Sequence, residues 1–170
     1  MIRALAKFIL ALNGNVKKSQ LAAGFAWGLL LGLVPAGNFF WIVLFLISFF
    51  FRHNYWSKLL FMLLIKMLAP LTAPLIDMLG WEILHIAALG PMFTTLYNMP
   101  FVPFTKFNNT LVAGGVVGGI VLWVPIYILF LKLIPLYRNT IGIKLRNSKL
   151  VTKIAGFPLF RALDLALKGN

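Results

Sequence analysis

The sequence predicts an all-α integral membrane protein, and three observations support this fold class. Hydrophobic residues make up 61% of the chain and charged residues 11%, and the mean hydropathy is +0.94. Apolar segments of helix length follow one another, with cations between them. Proline and glycine interrupt two of these segments in a similar way. We expect a single membrane domain, 1–170, folded as a small bundle with two Pro/Gly-broken, re-entrant helical hairpins and an amphipathic interfacial helix at each end.

Residues 1–18 are predicted to form the first amphipathic helix. Ile2, Leu5, Phe8 and Leu12 recur at helical spacing, and Lys7 lies beside them. A signal peptide would begin in a similar way, but Lys7 interrupts the apolar run and no small-residue cleavage site follows. We therefore expect a helix that lies on the membrane surface.

Residues 19–54 are predicted to form the first broken hairpin. Two apolar arms, 21–34 and 39–51, would each be roughly 20 Å long as helices, which is shorter than the ~30 Å hydrocarbon core. One kinked crossing and one hairpin both fit these lengths. Lys17 and Lys18 precede the arms and Arg52 and Lys58 follow them. The positive-inside rule places both flanks in the cytoplasm, which favours a re-entrant hairpin.

The turn between the two arms has its own sequence signals. Pro35 ends the first arm, Gly37 permits a tight reversal, and Asn38 can cap the second arm. Irregular backbone at membrane depth needs cover from protein or from a water-filled cavity. We therefore expect this turn to be buried against other helices, where it is a candidate contact for lipid, substrate or a partner.

Glycines at four-residue spacing mark a helix-packing face on the first arm. Gly24, Gly28 and Gly32 share one side of the helix, and small residues let two helices approach closely in lipid. We expect this face to pack within the chain, with a helix of a partner protein as the alternative.

Residues 107–137 resemble the first arm at an offset of 90 residues. Gly114 and Gly118 match Gly24 and Gly28, and Pro125 matches Pro35. The pattern predicts a second broken segment, re-entrant or kinked at Pro125, and the chain can be an internal duplication. Paired broken helices are typical of transporters, whose binding sites lie where the breaks meet.

Between the two broken segments, residues 55–106 are predicted to form two irregular membrane segments. Pro70 and Pro74 should kink the outward helix, and three further prolines should break the returning one. Lys66 lies roughly 16 Å into the outward helix, where a lysine costs about 2.5–3.5 kcal/mol and needs a partner.

The sequence offers two kinds of partner for Lys66. One is a carbonyl at the end of the first arm, near Val34. The other is a side chain on the returning segment, namely Thr94, Thr95 or Asn98. The lysine can serve as a substrate or headgroup contact, or it can cap or snorkel structurally.

The formal net charge of +13 belongs mainly to the segment ends and to the tail 138–170. We interpret these cations as topology signals and contacts with anionic lipid headgroups, not as a nucleic-acid surface. The tail is predicted to be cytoplasmic and to end in an amphipathic surface helix. Both termini are accordingly expected on the cytoplasmic side of a bacterial inner membrane.

The sequence offers little reactive chemistry. Three carboxylates, two histidines and no cysteine are present, and no nucleotide-binding, hydrolase or metalloprotease motif occurs. We therefore predict no enzyme activity, no catalytic residues, no metal site and no cofactor.

Residues of about 20–80 resemble the bacterial membrane family catalogued as domain of unknown function 2062. The shared pieces are Gly24-Phe25-Ala26-Trp27-Gly28, Pro35-Ala36-Gly37, Asn54, Pro70-Leu71-Thr72-Ala73-Pro74 and Gly80. Family members carry asparagine before the first of these later prolines, where this chain has Ala69. The resemblance implies an inner-membrane protein associated with the cell envelope, and it implies no reaction.

Two functions are therefore predicted from the sequence. The first is a non-enzymatic inner-membrane subunit that anchors or regulates a larger, membrane-anchored protein of the cell envelope or of lipid transport. The alternative is a small transporter or lipid scramblase, with a midplane site where the breaks at Pro35 and Pro125 meet Lys66. In its paired interrupted hairpins the chain somewhat resembles the DedA-type membrane proteins.

Overall fold

The computed structural model describes residues 16–142. The predicted amphipathic helix at 1–18 and the tail at 138–170 lie almost entirely outside the described residues. The chain divides into two compact units, Met1–Lys132 and Leu133–Asn170. Of the second unit, the structure describes the end of the last α-helix and a π-helical turn, Arg138–Gly142.

The described residues form six α-helices and contain no strand, so the all-helical prediction is confirmed. The helices are α1 (Lys18–Leu33), α2 (Phe39–Ser48), α3 (Tyr55–Met67), α4 (Ala69–Leu84), α5 (Gly90–Tyr97) and α6 (Thr110–Tyr137).

Helix α1 is the centre of the first unit. It is apolar on every side, and Leu21, Ala22 and Leu31 are fully buried. A helix without a polar face can be stable only where other elements surround it. The backbone of α1 packs mainly along α3, and the buried cluster at its end is formed around Trp27 and Leu30.

Helices α1 and α2 form a hairpin. The chain leaves along α1, turns after Val34 and returns along α2. The Asn54 backbone N–H then donates to the Gln20 carbonyl over 2.9 Å. This bond joins the two ends of the hairpin, so Gln20 and Asn54 lie at the same end of it.

The prolines after α3 bend the chain as predicted, but at one position only. Helices α3 and α4 meet at Leu68 with an angle of 83°. Pro70 lies in the first turn of α4, where its missing N–H costs no helical hydrogen bond. Pro74 lies inside α4 and does not end it.

The returning segment is irregular, as predicted. Two 3₁₀ turns, Ala87–Leu89 and Val102–Thr105, flank the short helix α5. Phe101 and Lys106 border the second turn with φ of 68° and 53°, in the left-handed region that non-glycine residues seldom adopt.

The predicted break at Pro125 is wrong. Helix α6 continues through Pro125 as far as Tyr137. Pro35 is followed by Gly37 and Asn38, which reverse and cap the chain, whereas Pro125 is followed by Ile126, Tyr127 and Ile128. A proline inside a helix removes one hydrogen bond and can bend the helix without ending it. The second hairpin is therefore absent.

One stretch of the described residues, Thr110–Thr140, is long and apolar enough to span a membrane. The bent pair of α3 and α4 meets the same criterion if it is taken as one broken span. Length and apolarity of this kind indicate membrane association.

Candidate functional site

The turn at Pro35 is closed by a single side chain. Asn38 is 4% exposed; its Nδ2 donates to the Pro35 carbonyl over 2.6 Å, and its Oδ1 accepts from the Trp41 backbone N–H over 2.8 Å. The N-cap predicted for this residue is confirmed. Gly37 has φ of 87°, which shows why the reversal needs glycine.

The expectation that the whole turn is buried is wrong. Ala36 and Gly37 are exposed, and a Cβ on Gly37 would have no atom within 4 Å. The prediction assumed that other helices must cover the irregular backbone. Asn38 instead bonds locally to two backbone groups of the turn, so the turn can project outward.

Lys66 extends from the last turn of α3 to the end of α1. Its Nζ donates to the Val34 carbonyl over 3.1 Å, and it lies 5.8 Å from the centroid of the Trp41 ring. The same Trp41 donates from Nε1 to the Leu31 carbonyl over 2.9 Å. Two carbonyls at the end of α1, which have no partner within the helix, thus receive donors from α2 and α3.

The sequence offered two kinds of partner for Lys66, and the structure shows the first kind, a carbonyl at the end of α1. The side chains of the other group bond to their own backbone: Thr94 to Gly90, Thr95 to Pro91 and Asn98 to Thr94. Lys66 also lies next to the α3–α4 bend. The broken end of α1 and the bend therefore meet at this lysine.

Pro125 does not contribute a break to this place. The residues of α6 next to the end of α1 are glycines. A Cβ on Gly115 would lie 2.8 Å from the Leu33 carbonyl oxygen, and a Cβ on Gly119 would lie 3.1 Å from Leu30 Cα. Sequence analysis missed these two glycines, although the repeated Gly-Gly pairs at 114–115 and 118–119 show that α6 has two glycine faces.

The predicted glycine faces pack within the chain. On α1, Gly24 lies against Ser57 and Asn54, Gly28 against Lys58, and Gly32 against Ile65, which are all on or next to α3. On α6, Gly114 lies against Ile76 and Gly80, and Gly118 lies against Leu79. Of the two alternatives, contact within the chain is the one that the structure shows at these glycines.

Lys58 is a residue that sequence analysis misjudged. It was taken as a flanking cytoplasmic charge, but it is 1% exposed. Its Nζ donates to Ser48 Oγ over 2.9 Å and lies 4.7, 4.5 and 5.1 Å from the ring centroids of Phe45, Phe49 and Tyr55. Aromatic faces attract a cation. The i, i+4 spacing of Phe45 and Phe49 was the one sequence signal that could have indicated two rings on the same face of α2 near this lysine.

His53, next to this aromatic cluster, is also buried. Its Nδ1 donates to the Phe51 carbonyl over 2.8 Å. Burial lowers the pKa of His53 below its ordinary value of 6.5; the positive charge of Lys58 acts in the same direction, and the bond to Phe51 opposes both. Burial therefore disfavours protonation of this ring.

The carboxylates of α4 are placed apart from these lysines. Thr110 Oγ1 donates to Asp77 Oδ1, and Glu82 is exposed on the same helix. His85 stacks on Trp81 with 3.6 Å between ring centroids. Within residues 16–142, no group of three or more His, Cys, Asp or Glu side chains is placed to hold a metal ion.

Comparisons with known proteins give one informative relative. No family model matches the chain, so the resemblance to domain of unknown function 2062 stays a prediction. No solved structure matches it either. An uncharacterized protein of Treponema pallidum (strain Nichols) is 33% identical over 159 residues, which cover 94% of this chain and 98% of that protein. The chain therefore belongs to the same family as this uncharacterized treponemal protein.

Proposed function

We propose that this chain is a non-enzymatic, multi-pass subunit of a bacterial inner membrane that anchors or regulates a larger protein of the cell envelope or of lipid transport. The observation that supports it is the large apolar surface that remains exposed outside α1. Glycines let α1 pack closely inside the bundle, and large apolar side chains of other helices are exposed. On α4, Leu71, Leu75 and Met78 are 75, 71 and 66% exposed. Exposed apolar surface of this extent marks contact with lipid or with another protein.

The polar groups of the site support a structural role. Lys66 caps α1, and Lys58 is enclosed by aromatic rings and Ser48. Both lysines thereby stabilise the hairpin from inside the chain. A scaffold whose buried lysines donate to groups of the same chain can present an apolar outer surface to a partner in the membrane.

The hairpin of α1 and α2 is proposed to be re-entrant, with both termini cytoplasmic. The bond between Asn54 and Gln20 supports this topology because it places these two residues at one end of the hairpin. The chain contains no cysteine, so single cysteines at Lys18 and Arg52 can be labelled without background. We expect both to react with a membrane-impermeant reagent from the same side. Labelling from opposite sides would refute the re-entrant topology.

Affinity purification from native membranes in a mild detergent tests the subunit role. Mass spectrometry of the eluate should identify a membrane-anchored protein in fixed stoichiometry with this chain. Charged substitutions on the exposed face of α4, such as Leu75→Glu, should release that protein. Leu71→Ala, which keeps the face apolar, is the matched control. Recovery of the chain without any stoichiometric protein would contradict the proposal.

The alternative function is a small transporter or lipid scramblase. It is favoured by the meeting of the α1 end with the 83° bend at Lys66, since broken helices line the sites of many transporters. Proteoliposomes containing the purified chain should then move a lipid probe between leaflets. Lys66→Leu should abolish this movement while the helical content stays unchanged. Equal movement in the two proteins would remove Lys66 from any transport site.

A further inference from the structure

A cavity between α4, α5 and the end of the returning segment is lined mainly by aromatic rings. Its volume is about 500 Å³, within the roughly 300–1,000 Å³ of ligand pockets. The aromatic side chains of its wall are Trp81, His85, Phe93, Tyr97 and Phe107. Trp81 and Tyr97 are 54 and 51% exposed, so a ligand can reach both rings.

These five rings form two groups. His85 stacks on Trp81 with 3.6 Å between ring centroids. Phe107 lies 6.0 Å from Phe93 and 6.5 Å from Tyr97, again between centroids. The face of an aromatic ring carries a negative potential, which attracts a cation and repels an anion. A cavity with both groups of rings in its wall therefore suits an organic cation.

The polar side chains of the cavity favour the same kind of ligand. Three of them use their single hydrogen within the chain. Thr94 Oγ1 donates to a carbonyl of α5 over 3.0 Å, and Thr110 Oγ1 donates to Asp77. His85 Nδ1 donates to a carbonyl one turn earlier over 2.8 Å, which leaves Nε2 of the neutral ring as an acceptor. These three side chains can therefore only accept hydrogen bonds from a ligand, and two asparagine amides complete the polar lining.

The charge around this cavity is the reverse of the charge of the chain. Lysine and arginine number 16 in the sequence, against three aspartates and glutamates. The described part of the chain nevertheless supplies no lysine or arginine to the wall of the cavity. The nearest carboxylate along its hydrogen bonds is Asp77, the partner of Thr110. An anion would find no ion-pair partner in this wall, whereas a cation would meet rings and acceptors.

We propose that this cavity binds a small organic cation of the quaternary-ammonium class. Aromatic side chains recognise such groups through their ring faces. A hydroxyl on the same ligand can donate to Thr94, Thr110 or His85. A phosphate on it would lack a lysine or arginine partner, so the cavity is assigned to a free cation and not to a zwitterionic lipid headgroup. Such a site does not depend on the proposed envelope partner.

Isothermal titration calorimetry of the purified full-length chain tests the proposal. The detergent is a polyoxyethylene, which carries neither sugar nor ammonium. The probes are choline, its uncharged isostere 3,3-dimethylbutanol, and phosphocholine. We expect choline to bind at least about fivefold more tightly than the isostere, and phosphocholine to bind more weakly than choline. No saturable binding of choline, or equal binding of the isostere, would refute a cation site. Phosphocholine binding as tight as choline binding would refute the assignment to a free cation.

Variants of the rings test where choline binds. Trp81→Leu and Tyr97→Leu should each weaken choline binding by about two- to fivefold, and Trp81→Phe should weaken it less than Trp81→Leu because it keeps a ring. Phe104→Leu is the matched control, since Phe104 is exposed on the same returning segment and does not line the cavity. Circular dichroism verifies that each variant is folded. Equal affinity in Trp81→Leu, Tyr97→Leu and Phe104→Leu would refute the site.

Asp77→Asn tests the contribution of charge. It keeps an acceptor for Thr110 and removes the negative charge behind the wall of the cavity. Choline binding should fall by about two- to fivefold at low ionic strength and by less at high salt. Binding of 3,3-dimethylbutanol should stay unchanged. An equal fall for both ligands would show a change of shape and would contradict recognition by charge.

Discussion

The contact between α1 and α3 makes a quantitative prediction at Gly28. A Cβ at this position would lie 2.7 Å from the Lys58 carbonyl oxygen and 2.9 Å from Phe61 Cβ. The carbonyl belongs to the backbone of α3 and cannot rotate away as the end of a side chain would. Gly28→Ala therefore forces the two helices apart.

The size of the effect follows from two opposing contributions. Overpacking of a close contact costs about 1–3 kcal/mol. Alanine gains about 1 kcal/mol over glycine inside a helix. For Gly28→Ala we therefore expect a net destabilisation of up to roughly 2 kcal/mol. Gly118 is the matched control: its Cβ would meet only the movable ends of the Leu79 and Ile76 side chains, at 3.2 and 3.7 Å, so Gly118→Ala should change the stability by less than about 1 kcal/mol.

The assay is unfolding of the purified chain by SDS in mixed micelles, followed by far-UV circular dichroism. Gly28→Ala should unfold at a lower SDS fraction than the unsubstituted chain, and Gly118→Ala at nearly the same fraction. If both substitutions shift the midpoint in the same direction by the same amount, the close packing of α1 on α3 is not what stabilises the bundle.

Three further predictions use the same assay. Asn38→Ala removes both the cap of α2 and the donor to the Pro35 carbonyl and should cost about 1 kcal/mol, whereas Asn38→Ser keeps a capping oxygen without burying a charge and should cost less; equal losses would contradict the capping role. Ser48→Ala leaves the buried Lys58 ammonium without its hydroxyl acceptor and should cost about 1–3 kcal/mol, and adding Lys58→Met should recover part of this loss. No recovery would show that the hydroxyl does not serve the lysine. Because the pKa of His53 in the folded chain lies below 6.5, the unfolded chain binds more protons at acidic pH. The contribution of His53 to the free energy of unfolding should be fully present above pH 6.5 and be lost as the pH falls through the folded-state pKa. The pH dependence of the SDS midpoint should therefore be weaker in His53→Gln, and an unchanged pH dependence would contradict a lowered pKa for His53.

Part of the candidate site was predictable because its signals are local. Pro35, Gly37 and Asn38 act within a few residues of one another, and the structure shows the reversal and the cap that they predict. The carbonyl partner of Lys66 was predictable for a related reason, since a helix end always leaves acceptors that need donors. These inferences require only the chemistry of a helix terminus.

The exposure of the hairpin turn and the burial of Lys58 could not be predicted in this way. Both depend on which side chains lie around them in space. Asn38 bonds to two backbone groups of the turn, the Pro35 carbonyl and the Trp41 N–H, and the aromatic rings of Phe45 and Phe49 enclose Lys58 after α2 has folded back. Net charge and position relative to an apolar segment carry no information about such neighbours.

By itself, the sequence determined the helical class, the reversal and cap at Pro35, Gly37 and Asn38, and the glycine face of α1, because composition and residue spacing act along one helix or one turn. The tertiary structure decided that α6 continues through Pro125 and that Lys58 lies among the aromatic rings of α2. The physical reason is that a proline can be accommodated inside a helix, and a buried site exists only after distant segments have packed together.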